Sequence, residues 1–231
     1  MKLLGTGNPK TMKGEKKGYL TYILHLAPSD ISGYNVCPCA TKGCRAACLN
    51  TAGRGRFDNT QNARIRKTNM FFQDRDMFLY HLTRDIEAGI RKAERDNMIP
   101  CFRLNGTSDI RWENYPVNYK DYNIFELFPE YQFYDYTKIS NRRDIPSNYH
   151  LTFSQGEDNH DNVLTAMNNG MNIAVVFNTG KKDELPSNYL GRKVLDGDES
   201  DLRFLDDIDS IIGLRAKGKA KQDVTGFVVT V

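Results

Sequence analysis

Four of the chain's five cysteines fall between Cys37 and Cys48, in the pattern Cys37-x-Cys39-x4-Cys44-x3-Cys48. The N-terminal stretch "MKLLGTGNPKTMKGEKKGYL" has no apolar segment followed by a small-residue cleavage site, so a reducing, cytoplasmic setting is expected. In that setting clustered thiols read as metal ligands or redox groups rather than as a disulfide framework. Thiolates are soft donors that suit zinc or iron–sulfur clusters. A structural zinc site usually takes two separated knuckle pairs. Here all four cysteines share one loop, and His25, His81, His150 and His160 are scattered singly. The compact loop therefore fits a 4Fe–4S cluster better, with zinc as the alternative metal. Four thiolates would close such a cluster; three would leave one iron open to a small molecule. Spacing does not decide between the two; Cys37, Cys44 and Cys48 make a plausible trio, in which Cys39, beside Pro38, is an extra thiol or an alternative ligand. Cys101 stands apart and reads as a buried, unreactive thiol.

The loop runs directly into "LNTAGRGRFDNTQNARIRKTN". Gly53 and Gly55 let backbone amides approach a ligand closely. Arg54 and Arg56 could hold an anionic cluster, a carboxylate or a phosphate. Arg64, Arg66 and Lys67 follow on the opening turns of a helix. The basic residues are bunched at 10–17, 54–67 and 215–221, but the net charge of +3 does not argue for nucleic acid by itself. With 231 residues, 39% of them hydrophobic, the chain can bury the core of one domain, 1–231, with its metal-binding loop at 35–56. No run of about eighteen apolar residues is present, so no membrane span is expected.

Short apolar or aromatic runs at 19–26, 100–105, 131–137, 149–154, 172–178, 192–197 and 210–216 read as strands, with "GFVVTV" closing the chain. A helical period extends from about Asp58 to Arg95, and "EDNHDNVLTAMNNG" reads as a helix closed by Gly170. Strands alternating with helices predict an α/β fold: a (β/α) barrel, full or partial and irregular, with the cysteine loop after its first strand. The interval from Thr137 to Tyr149 is too short for a full crossover helix. Polar residues gather just past the strands, where parallel α/β folds place their sites. Arg103, Asn105, Ser108, Asp109, Lys138, Gln155, Glu157, Asn178, Asp198 and Arg215, with Arg54 from the loop, are the expected lining of a cavity that binds cofactor and substrate. Arg103 and Arg215 beside Asp109 and Asp198 would suit a zwitterionic or phosphate-bearing ligand.

The motifs carry a family resemblance. Cys37-Pro38-Cys39-Ala40, Gly43-Cys44, Cys48 and Leu49 to Gly55 resemble the signature of a family of phage proteins, and the resemblance continues in "ARIRKT" (63–68), "RLNGTSDIRWE" (103–113), "DGDESDLRFLD" (196–206) and "IIGLRAKGKA" (211–220). It implies a host-cytoplasmic phage protein and, because position 39 is not fixed in the pattern, favours the trio; it implies no particular reaction. The layout is also similar to radical S-adenosylmethionine enzymes, which place a three-cysteine loop after the first strand of a full or partial barrel. The chain departs from them in spacing, with Thr51 where Cys-x3-Cys-x2-Cys requires cysteine. It also lacks Gly-Gly-Glu-Pro after the second strand, where Ser108 or Asp109 would have to hold the methionine amino group. The expected function is thus an iron–sulfur enzyme of this kind, its open iron binding a small molecule such as S-adenosylmethionine, with an electron donor as partner. The alternatives are a metal-stabilised nucleic-acid-binding protein using Arg54, Arg56, Arg64, Arg66, Lys67, Lys217, Lys219 and Lys221, and a protein that binds a host protein.

Overall fold

The structure is a computed structural model that describes residues 1–6, 11–117 and 121–230; Lys10 of the first basic run and Val231 of the closing run lie outside the described residues. The chain opens with β1 (Leu4–Gly5) and α1 (Thr11–Glu15), followed by β2 (Tyr19–Leu24) and a loop containing α2 (Lys42–Ala46). Helices α3 (Asp58–Gln73) and α4 (Arg75–Arg95) lead to β3 (Ile99–Arg103). Next come α5 (Ile124–Leu127), β4 (Gln132–Thr137), β5 (Tyr149–Ser154), α6 (His160–Asn168) and β6 (Ile173–Phe177). The chain finishes with β7 (Asn188–Tyr189), β8 (Arg192–Asp196), β9 (Ile211–Arg215) and β10 (Val228–Val229).

These strands form one ten-stranded sheet in the order β1-β2-β3-β4-β5-β6-β9-β8-β7, with β10 paired to β6. Every neighbouring pair from β2 through β9 to β8 is parallel, whereas β1 on β2 and β7 on β8 are antiparallel. The fold is therefore mixed α/β with a mostly parallel sheet, and the path is open, ending at β1 and β7 rather than closing as a barrel. Strand β5 pairs with β6 only at Ile173 and Ala174, and β10 takes over at Val176 and Phe177. β10 thus extends the β5 side of β6 beyond the point where β5 leaves it.

Alternation along the strands separates two faces. Leu20, Tyr22 and Leu24 of β2 point toward Phe71 of α3 and Phe78, Leu79, Leu82, Ile86 and Ile90 of α4, all buried in one cluster. Gly89 of α4 lies against the Tyr22 ring, where an added Cβ would sit 3.1 Å from it. On the other face Thr21 Oγ1 lies 3.2 Å from both Cys101 Sγ and Tyr134 Oη, which buries Cys101 in a polar contact, away from the other cysteines.

The single helix expected from Asp58 to Arg95 is broken at Asp74, whose backbone leaves the helical region (φ −145°, ψ 70°). The Asp74 carboxylate accepts from the Met77 amide at 3.2 Å and so caps α4. The break lets Phe71 meet both Phe78 and Trp112 edge-on, at 5.3 and 5.2 Å between ring centroids. Helix α6 ends as expected, with Gly170 at φ +75°, and the interval from Thr137 to Tyr149 holds no helix.

Candidate functional site

The cysteine loop folds back over the C-terminal ends of β3, β4 and β5. The Asp109 amide donates to the Val36 carbonyl at 2.8 Å, next to Cys37. Thr41, the N-cap of α2, donates through its hydroxyl to Glu157 Oε2, and the Gly43 amide donates to Glu157 Oε1 at 2.6 Å. Glu157 follows β5, so one carboxylate ties the helix carrying Cys44 to the sheet. Burial pushes the Glu157 carboxyl up, but the Thr41 hydroxyl, the Gly43 amide and the Lys138 ammonium outweigh it and hold the group below its ordinary range. Gly43 has to be glycine: a Cβ there would overlap Thr225 Oγ1 and sit 2.5 Å from Phe227 Cβ. Ala47 is buried with Ala216 and Ala220, against Phe227 and Val228. The segment from Ala216 to β10 therefore clasps the loop from its other side.

Lys138, buried just past β4, donates through Nζ to the Ser154 carbonyl (3.0 Å), the Ser154 hydroxyl (2.9 Å) and the Gln155 carbonyl (2.9 Å). Burial lowers its pKa, opposed by the charges at Cys44, Asp109 and Glu157. Asp109 accepts from the Thr137 hydroxyl and the Lys138 amide, each at 2.8 Å, and lies 3.7 Å from Arg142 Nη1. Burial raises its pKa in spite of these partners.

Cys37, Cys44 and Cys48 share this environment. Burial pushes the Cys37 thiol up to about 12, the Ser29 amide opposes it, and charge at Cys48, Cys44 and Asp109 adds to it. That amide donates to Cys37 Sγ at 3.4 Å from a left-handed Ser29 (φ 51°). Burial also raises Cys44, countered by Lys138 and reinforced by Cys48, and raises Cys48, countered by the Asn50 amide and Arg64. Cys39 is exposed, and its raised pKa comes from burial and Asp109, with Arg111 opposing and no other thiol involved. Among the described residues no group of three or more His, Cys, Asp and Glu converges to hold a single metal ion. The three thiols are within electrostatic range of one another without meeting at a point.

The expected lining divides into separate groups. Asp109, Lys138 and Glu157 gather beside the trio, whereas the Gln155 side chain turns away and donates to Tyr189 Oη at 2.9 Å. Asn105 and Ser108 are consumed in shaping their own turn: Asn105 Oδ1 accepts from the Ser108 hydroxyl (2.8 Å), the Ile110 amide (2.9 Å) and Trp112 Nε1 (3.2 Å). Arg103 does not lie beside Asp109; it pairs with Asp201 at 2.6 Å and approaches Asp135 at 3.7 Å. Asp198 and Arg215 sit farther along the sheet, where Arg215 Nη1 holds Asp196 at 2.8 Å and Asp198 at 3.7 Å, and Lys217 holds Asp198 at 2.6 Å. Arg54 and Asn178 are exposed. A polar residue after a strand marks the correct end of the sheet but not the position along it, and that is why these residues were grouped together. Thr41, Ser29 and Phe227 are outside the expected lining; of the three only Thr41 carries a local signal, a threonine directly ahead of a helix.

Beneath the loop, the sheet face away from α3 and α4 carries buried polar atoms that have no hydrogen-bond partner. They are His25 Nδ1, Tyr136 Oη, His150 Nε2, Thr152 Oγ1 and Arg203 Nη1; Arg103 Nε and Arg203 Nε face carboxylates instead, Asp135 at 3.7 Å and Asp206 at 3.2 Å. The register aligns Tyr136 with Thr152 and Tyr134 with His150, so these groups are neighbours on one surface. Arg103 lies over the Tyr134 and Tyr136 rings at 5.6 and 5.2 Å. Buried polar groups of this kind are ordinarily satisfied by a partner or by ordered water.

His25 has its pKa lowered to about 3, first by burial, then by Arg64, Arg103 and Lys67, with Asp201 opposing. The folded state keeps it neutral while the unfolded state takes up a proton below about 6.5, so stability present above that pH is lost as pH falls toward 3. We expect this group to cost about 2 kcal/mol between pH 7 and pH 5. Urea denaturation across that range should show a shallower acid-side loss for His25→Gln than for the parent.

The family model described as gene product 88 matches residues 2–230. The chain belongs to the gene product 88 family. At that level the match agrees with the resemblance to a phage gene-product family. No curated protein matches the chain, and no solved structure does. No helix among the described residues of this gene product 88 member is long and apolar enough to cross a membrane.

Proposed function

We propose that this gene product 88 protein is an iron–sulfur enzyme of radical-S-adenosylmethionine type built on a partial, open barrel. Cys37, Cys44 and Cys48 would hold a 4Fe–4S cluster, and its open iron would bind a small molecule, with S-adenosylmethionine, cleaved reductively there, as the leading candidate. The observation that carries this reading is the gathering of these three thiols, without Cys39, over the C-terminal ends of parallel strands. Thiols gathered in one compact loop suit a cuboidal cluster better than a tetrahedral zinc ion, which usually takes two separated knuckle pairs.

The donor set supports the same assignment. Amides at Ser29 and Asn50 face Cys37 and Cys48, and cations at Lys138 and Arg64 face Cys44 and Cys48. Hydrogen-bond donors and positive charge stabilise thiolates, and burial otherwise keeps all three thiols protonated, so cluster loading would release protons. A cluster with an open iron supplies a binding position and a single electron. The chain's own groups do the rest. Lys138 and Asp109 would set the charge beside Cys44 and Cys37. Glu157 fixes the loop to the sheet. The polar inner face, from Arg103 to Arg203, would bind a hydrogen-bonding substrate and exclude an apolar one.

The test is anaerobic purification with iron, sulfide and zinc measured per chain, and electron paramagnetic resonance of the reduced protein with and without S-adenosylmethionine. We expect about four irons per chain and a spectrum that shifts on addition. Stoichiometric zinc without iron would overturn the proposal, and iron without a shift would overturn the choice of small molecule.

A further inference from the structure

We propose that the outer surface of the cysteine loop binds single-stranded nucleic acid. The inference stands on this surface alone and does not require the loop to carry iron. Two basic runs far apart in sequence meet here. The turn at Gly218–Gln222 packs against the turn at Leu49–Thr51, and a Cβ at Gly218 would lie 3.4 Å from Ala52 Cβ. Ala47, which closes α2, is buried with Ala220 of that turn. The adjoining segment, Thr225 to Phe227, lies against Gly43 of α2. Lys42, Arg54, Arg56, Lys219 and Lys221 are thereby brought to one surface, all of them exposed. Among the described residues none of the five makes a salt bridge, whereas Lys217 is held by Asp198 at 2.6 Å and Arg45 faces Asp30 at 4.0 Å. The acid that follows them, Asp223, is turned into its own loop, where it accepts from the Thr225 hydroxyl at 2.7 Å and the Val228 amide at 3.0 Å.

A chain whose net charge is only +3 thus concentrates uncompensated cations on one loop and the turn that clasps it. A phosphate backbone supplies the matching line of negative charge, and release of its counterions drives the binding. What selects a single strand is the apolar surface among the cations. Leu49 is 62% exposed, Phe57 is 54% exposed with Arg56 over its ring, and Val224 is 97% exposed. A duplex keeps the faces of its bases stacked inside, so these side chains would meet only sugar and phosphate. In a single strand the base faces are free, and an aromatic ring set among cations is a platform on which they stack. Phe57 is placed to be that ring, where the Gly53–Arg56 turn enters α3. Stacking and phosphate contacts read no base edges, so the binding is tolerant of sequence.

The experiment uses the full, anaerobically purified chain, with iron and zinc recorded, and a labelled single-stranded DNA of about 16 nucleotides. Binding is read by fluorescence anisotropy at several salt concentrations. We expect affinity to fall about a hundredfold between about 50 and about 200 mM salt, the slope for about five phosphate contacts on a single strand. Arg54→Glu combined with Lys219→Glu should weaken binding by about tenfold or more and flatten that slope, with the thermal unfolding midpoint unchanged. Phe57→Ala should weaken binding by about fivefold or more and leave the slope as it is. An affinity that ignores salt, or that survives the double substitution, overturns the proposal. Tighter binding to the duplex of the same sequence, unaffected by Phe57→Ala, overturns the choice of a single strand. Equal binding of a poly-glutamate peptide reassigns the surface to an acidic protein. Each of these outcomes is read whether the preparation holds iron, zinc or neither, so failure here and failure of the iron–sulfur reading are separate results.

Discussion

Cys37→Ser, Cys44→Ser and Cys48→Ser should each lose nearly all iron and acid-labile sulfide on anaerobic purification, whereas Cys39→Ser should keep about four irons per chain. The asymmetry follows from placement. Charge at Cys44 and Cys48 reaches Cys37, and charge at Cys48 reaches Cys44. Cys39 is exposed, and no other thiol affects it. Serine is nearly isosteric with cysteine but a hard donor, so the loop keeps its shape while the soft-ligand set is broken. Colorimetric iron and sulfide assays on the four proteins, purified side by side, decide the matter. Equal loss in Cys39→Ser would mean a closed four-cysteine site and no open iron, and unchanged iron in any of the other three would remove that residue from the ligand set.

Arg103→Met carries the largest stability effect that we expect, a loss of about 3–5 kcal/mol, because removing one member of a buried pair strands the other. Arg103 and Asp201 are both buried and 2.6 Å apart. Asp135, fully buried, also faces the guanidinium; burial lifts its carboxyl to about 7, and Arg103 is the largest influence holding it down. Without the arginine, Asp135 takes up a proton near neutral pH, which limits the damage, and Asp201 bears the rest. Guanidinium denaturation at pH 7 should show the loss, and adding Asp201→Asn should recover part of it. If Arg103→Met denatures like the parent, the pair is solvated and the inner face is open to water rather than a closed polar surface.

Much of the architecture was legible in the sequence because most strands carry a short apolar or aromatic run set off by polar and turn residues. The runs at 149–154 and 172–178 match β5 and β6 to within a residue at each end. That the four clustered cysteines share one loop was legible from spacing alone, since they lie within twelve residues of one another. Long-range geometry was not. The non-helical backbone at Asp74, between two stretches of matching helical period, leaves the hydrophobic pattern intact and changes only its direction. The sheet's openness depends on whether β1 and β7 meet, which no local pattern encodes. Arg103 was expected to face Asp109 and instead meets Asp201, a residue supplied by a segment remote in sequence. The polar turn residues after β8 and β9 are an ion network of their own, because position across a sheet is set by pairing order rather than by turn chemistry.

The clasp around the cysteine loop has a consequence for how the protein is made. The thiols emerge early in synthesis, whereas Ala216, Ala220, Phe227 and the β10 strand that hold the loop from outside come from the other end of the sequence. At about 5–20 residues per second, the ribosome leaves Cys37, Cys44 and Cys48 uncovered for many seconds. During that interval they are accessible to oxidants. On the iron–sulfur reading proposed above, metallation of the nascent chain would come before closure of its outer clasp.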